Sequence, residues 1–135
     1  MSPDHVSDGA RVLLAGPAPA TAAALLREAG CEVLSATSPA ALLRLATALP
    51  LPRLILLGET VGDQPGLSLL SRLQDDLATR AIPVLFVAGE GDQELALALG
   101  AADCLTLPLR PLVLLARVQA QLRLAALAGL AGVLS

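Results

Sequence analysis

PRLILLGETVGDQPG, residues 52–66, sets four consecutive aliphatic residues, Leu54 to Leu57, between Pro52 and Gly58. A strand with one face on water alternates apolar and polar positions, whereas a run that is apolar at every position suits a strand covered on both faces in a parallel sheet. The run ends in Gly58, and a polar, glycine-containing loop follows. Gly66 then opens LSLLSRLQDD, in which Leu67, Leu70 and Leu73 have helical spacing. The stretch therefore reads as strand, loop and helix, with the helix returning over the sheet.

The same unit recurs on both sides. RVLLA from Arg11, CEVLSA from Cys31, RLILL from Arg53, PVLFVA from Pro83 and a weaker DCLTL from Asp103 read as five strands. Between them lie helical segments with recognisable ends. Pro19 suits a first turn, TAAALLREA follows, and Gly30 closes it. Ser38 and Pro39 supply an N-cap and first helical residue for AALLRLATA, which runs to the Pro50 and Pro52 break. Asp92 can cap QELALAL, ended by Gly100, and Pro111 opens the last and longest helix. Right-handed crossovers between such units predict an α/β domain, a doubly wound, five-stranded parallel sheet in a three-layer sandwich. Ligands of such sheets bind at the carboxyl ends of the strands, near the point where strand order reverses. Here that rim is Gly16 to Ala18, Gly58 to Asp63, Ala88 to Gly91 and Thr106 to Pro108.

A chain of 135 residues is the size of one domain. It is 55% hydrophobic with no Trp or Tyr and one Phe, so its core must be aliphatic. The net charge of -3 and a pI near 4.9 oppose a nucleic-acid partner, which needs a basic footprint. All nine basic residues are arginine, which excludes lysine chemistry such as a Schiff base. Cys31 and Cys104 lie far apart without a C-x-x-C pair and are expected as two reduced, buried thiols. The opening MSPDHVSDGA lacks the zones of a signal peptide, so residues 1–10 are expected as a flexible leader, with His5 a bystander. GPAPAT is neither a Walker loop nor a G-x-G-x-x-G turn, and a lone His5 cannot complete a Ser-His-Asp set.

RVLLAGPAP, PRLILLGETVGDQPG, ATRAIPVLFVAG and GAADCLTLPL follow one another in an order and spacing that resemble a bacterial response-regulator receiver domain, CheY-like, over residues 11–124. The resemblance implies the flavodoxin-like (βα)5 arrangement. It also implies where the family's chemistry would sit. Gly58 stands at the phosphoacceptor aspartate, and Gly16 and Pro17 stand at the acidic pair that holds magnesium. Ala88 stands at the hydroxyl residue, Leu107 at the lysine before a proline, and Cys104 at the usual aromatic. The stretch from Ala88 to Gly100 is about three residues short of the family pattern, close to one turn. A shortened fourth helix is expected, with an altered surface where the family engages partners.

Acceptor phosphorylation needs a carboxylate nucleophile, a cation on oxygen ligands and a positive group near the phosphoryl oxygens. Gly58, Gly16, Pro17 and Leu107 supply none of these side chains, so these positions read as degenerate. No catalytic residue, metal ligand or cofactor is assigned, and the chain is not expected to be an enzyme. Without paired acids, which at about 5 Å repel by roughly 3 kcal/mol at an effective dielectric of about 20, the fold has no need of a cation. Glu59, Asp63, Glu90 and Asp92 remain on the rim as an alternative, unorthodox cation site, and Glu59 or Asp63 as an alternative phosphoacceptor. A second alternative is a flavodoxin-like small-molecule module with Gly58, Ala88 and Leu107 lining an apolar pocket.

The C-terminal PLVLLARVQAQLRLAALAGLAGVLS carries an inward stripe of Leu115, Val118 and Leu122, yet has few polar positions after Arg123. Single domains seldom expose that much aliphatic surface. Cys104, Leu114, Leu124, Leu127 and Leu130 are therefore expected at an interface, and residues 125–135 as an apolar extension of the last helix or the start of a linker. The apolar stretch from Leu124 to Leu134 falls short of the ~20 residues that cross a bilayer. The sequence thus predicts a cytoplasmic, phosphorylation-independent signalling module that acts by dimerisation or protein docking. Its partners would be a second copy of itself or an attached or separate output domain.

Overall fold

The computed structural model describes the backbone of residues 9–134 and the side chains of residues 9–127. Strands β1 (Arg11–Ala15), β2 (Glu32–Ala36), β3 (Leu54–Gly58), β6 (Val84–Ala88) and β7 (Asp103–Thr106) form one parallel sheet in the order β2-β1-β3-β6-β7. A small antiparallel hairpin, β4 (Thr60–Val61) and β5 (Gln64–Pro65), interrupts the repeat. The helices are α1 (Pro17–Ala20), α2 (Ala23–Glu28), α3 (Pro39–Thr47), α4 (Gly66–Asp75), α5 (Gln93–Ala98) and α6 (Pro111–Leu134). The fold is the doubly wound sandwich that the five apolar runs predict.

Alternation along each strand sends neighbouring residues into two separate cores. Leu13, Ile55, Leu57 and Phe86 face α3, α4 and α5, meeting Leu42, Leu69, Leu70, Leu73 and Ala96. Val12, Leu14, Leu54, Leu56, Leu85 and Val87 face α2 and α6, meeting Leu26, Leu114, Val118 and Leu122. This is why β3 and β6 are buried at every position. Phe86, the one aromatic, is buried among aliphatic side chains.

Several expectations are corrected in detail. The first helix starts at Pro17, two residues before Pro19, because both prolines fall in a first turn where no N–H is needed. It does not run unbroken to Gly30. Thr21 turns its hydroxyl and its N–H onto the Ala18 carbonyl, at 2.7 and 3.2 Å, and α2 begins afresh at Ala23. Ser38 caps α3 as expected, accepting from the Ala41 N–H at 3.1 Å. Asp92 occupies the N-cap of α5, but its side chain makes no cap bond. Leu69 joins the buried stripe of α4, whereas Leu67 is only half-buried. The helix of the fourth repeat, α5, has six residues.

Residues 1–8 of the expected leader lie outside the described residues. Gly9 and Ala10, expected within it, belong to the domain: the Gly9 N–H donates to the Gly30 carbonyl at 2.8 Å, and Ala10 is buried. Cys31 is buried, but Cys104 is only half-buried. No helix among the described residues is long and apolar enough to cross a membrane.

Candidate functional site at the strand ends

The sheet reverses its order between β1 and β3, so the carboxyl ends of these two strands define the site. Gly16 and Gly58 follow and end them, and both are buried. Pro17, Gly58, Glu59, Thr60 and Leu107, with Ala18, line a cleft of about 140 Å³. Three of the expected degenerate positions, Pro17, Gly58 and Leu107, thus meet in one place. Ala88 ends β6, buried, and does not line the cleft.

The backbone itself closes the site. A Cβ placed on Gly58 would lie 2.9 Å from the Pro19 Cδ and 3.4 Å from both the Pro19 Cγ and the Ala15 carbonyl oxygen. Carbon atoms pack best at about 3.5–4.0 Å, so any side chain there requires Pro19 to move. Gly16 has φ +97°, which disfavours L side chains, and a Cβ on it would run into the Thr60 carbonyl oxygen. The β4–β5 hairpin puts that carbonyl there: Gly62 and Asp63 make a two-residue turn, and buried Val61 anchors it. Gly66, at the start of α4, is packed as tightly over the Gly58 carbonyl. Nothing in the sequence singles out Pro19, Thr60 and Gly66 for this role. Their contacts depend on where α1 begins and on a hairpin that reads as a loop.

Magnesium requires several hard oxygen ligands in octahedral geometry. Gly16 and Pro17 offer backbone carbonyls only, and the space beside Gly16 is taken by Thr60, so the residues present do not fit the ion. Among the described residues no three His, Cys, Asp or Glu side chains are grouped to hold a metal, the four rim acids included. Glu59 is already engaged. Its carboxylate crosses the rim and accepts the Gly89 N–H, and its carbonyl accepts the Gly66 N–H at 2.6 Å.

A larger cleft of about 360 Å³ lies beside β7 and the start of α6, lined by Cys104, Thr106, Arg110 and Arg117 among others. Arg117 donates to Asp103 at 2.6 Å. The Cys104 Sγ lies 3.6 Å from the Gln93 carbonyl oxygen. Burial raises the pKa of both thiols, and the Asp103 charge adds to the rise at Cys104.

Of the expected interface, Leu114 is corrected. It is 1% exposed and packs with Leu26 and Val118 inside the domain, so it offers no free surface. Leu124 and Leu127 are 57% and 56% exposed on the outer part of α6. The side chain of Leu130 lies outside the described residues.

No family model matches the chain. It is 38% identical over 76 residues to the response regulator PleD of Caulobacter vibrioides, a match covering 54% of the chain and 17% of PleD. The chain therefore spans about a sixth of the length of the curated relatives it matches. Its structure superposes on a putative response regulator from Chloroflexus aurantiacus with a TM-score of 0.78 at 24% identity, covering 86% of this chain and 99% of that one. A probable two-component system response regulator/GGDEF domain protein superposes with a TM-score of 0.78 at 23% identity, covering 86% and 50% of the two chains.

Proposed function

The chain has the response-regulator receiver (CheY-like) fold, and from that premise we propose that it is a degenerate receiver module, which signals through surface contact without being phosphorylated. One observation carries the reading: the ring of Pro19 occupies the space where a side chain on Gly58 would begin. A phosphoacceptor there lacks its carboxylate, its cation ligands and its room. The 140 Å³ cleft at Gly58 and Leu107 is also below the ~300 Å³ at which small-molecule pockets begin, and Ala88 does not line it, which weighs against a small-molecule pocket built on Gly58, Ala88 and Leu107.

Contact is the remaining route for information. Leu124 and Leu127 are three residues apart on one face of α6 and more than half exposed, a pair suited to a second copy or an output domain. A solved relative named for a GGDEF domain makes such an output domain a reasonable partner here. The acidic pI favours protein over nucleic acid as that partner, and the module would work in the cytoplasm. Intact-mass measurement after incubation with a small phosphodonor and magnesium tests the first half of the reading, and the mass should not change. A hydroxylamine-sensitive adduct would overturn it. Sedimentation of the chain across a concentration series tests the second half, with a reversible dimer expected unless the partner is another protein.

A further inference from the structure

The turn Gly89–Gly91 joins β6 to α5, and among the described residues it makes one hydrogen bond, from the Gly89 N–H to the Glu59 carboxylate. Two glycines leave that turn conformationally loose, and Asp92 does not brace it with a cap bond. Glu59 is well placed to do so. Its own backbone is held by the Gly66 N–H at the head of α4, so the carboxylate projects from a fixed base. From the turn, contacts continue to the sheet edge. The Gln93 Nε2 donates to the Thr106 Oγ1 at 2.9 Å, the Gln93 carbonyl faces the Cys104 Sγ, and the Leu107 N–H donates to the Ala88 carbonyl at 3.0 Å.

The geometry points to Glu59 as a strap across the rim: by holding the Gly89 N–H it fixes the turn, and through the turn it keeps α5 and β7 in one arrangement. The bridge across the rim is made by a side chain of the protein itself. A charge-assisted bond from a backbone N–H to a carboxylate is the stronger kind, which suits a single contact that secures a whole turn. The strap is separate from Leu124 and Leu127 and does not depend on whether α6 pairs with a second copy.

The two cysteines provide the test. Cys104 contacts the strapped region through Gln93, whereas Cys31 is buried immediately before β2 and serves as an internal reference. Glu59 is exposed, so E59A and E59Q should both fold. Amide exchange at Gly89 should rise about ten-fold in E59A, and modification of Cys104 by a thiol reagent should accelerate several-fold while Cys31 stays unchanged. E59Q, which keeps an acceptor oxygen without the charge, should fall between E59A and the parent. The strap is refuted by Gly89 exchange and Cys104 labelling within two-fold of the parent in E59A, or by equal acceleration of Cys31, which would mean general loosening.

Discussion

Gly58 has room for a hydrogen and nothing larger. The Pro19 ring sits where the next carbon would go, so the absence of an aspartate is built into the packing and is not a matter of one residue type. Gly58→Asp should therefore destabilise the fold by about 1–3 kcal/mol in urea titration, the usual cost of overpacking. It should also remain unmodified by a small phosphodonor; a covalent adduct would show that Pro19 yields easily. Cys31 gives a second prediction. Burial raises its pKa, so the folded chain keeps the proton where the unfolded chain has lost it. This contribution is fully present below the ordinary thiol value of 9.0 and is lost as the pH rises through the higher folded value. Stability should decline on the alkaline side of pH 9.0, and the decline should be shallower in Cys31→Ala; an identical slope would remove the thiol from the explanation.

Among the elements, α6 and the β4–β5 hairpin separate what packing explains from what it does not. The first part of α6 is fixed by Leu114, Leu115, Val118 and Leu122, all at or below 9% exposure. Beyond it, Leu124 and Leu127 are more than half exposed. Replacing Leu124 and Leu127 together by Gln should leave the thermal midpoint nearly unchanged, as surface substitutions generally shift stability by less than about 0.5 kcal/mol. Self-association measured by sedimentation should weaken at the same time. Unchanged association would place the contact elsewhere, with Leu112 and Val113 at the head of α6 as the next exposed pair to test. The hairpin acts at the opposite end of the domain. Its buried Val61 fixes the Thr60 carbonyl over Gly16, which turns a connecting loop into part of the wall that closes the rim.

For the whole molecule, the consequence of having Gly16 and Pro17, which carry no carboxylate, in the turn after β1 is electrostatic. No side-chain repulsion there requires a cation, so the melting temperature should be indifferent to both EDTA and added magnesium. A clear loss of stability on chelation would reveal a cation bound by the described or the remaining residues. The fold was legible in the sequence because three of the five strand runs, at Arg11, Arg53 and Pro83, are apolar on consecutive positions, which calls for burial on both faces, while the two mixed runs became the edge strands β2 and β7. Local signals such as Ser38 with Pro39, and Gly30 and Gly100 at helix ends, placed the crossovers between them. The residue types at Gly16, Pro17, Gly58, Ala88 and Leu107, on which the proposal of a degenerate site rests, could likewise be read directly. What the sequence by itself determined was the architecture and the residue types at the strand ends, since both depend on residue identity and periodicity. The tertiary structure alone decided that the vacated space is filled, that Leu114 faces inward and that Glu59 reaches Gly89. Each of these depends on distances between segments remote in the chain, which neither periodicity nor composition encodes.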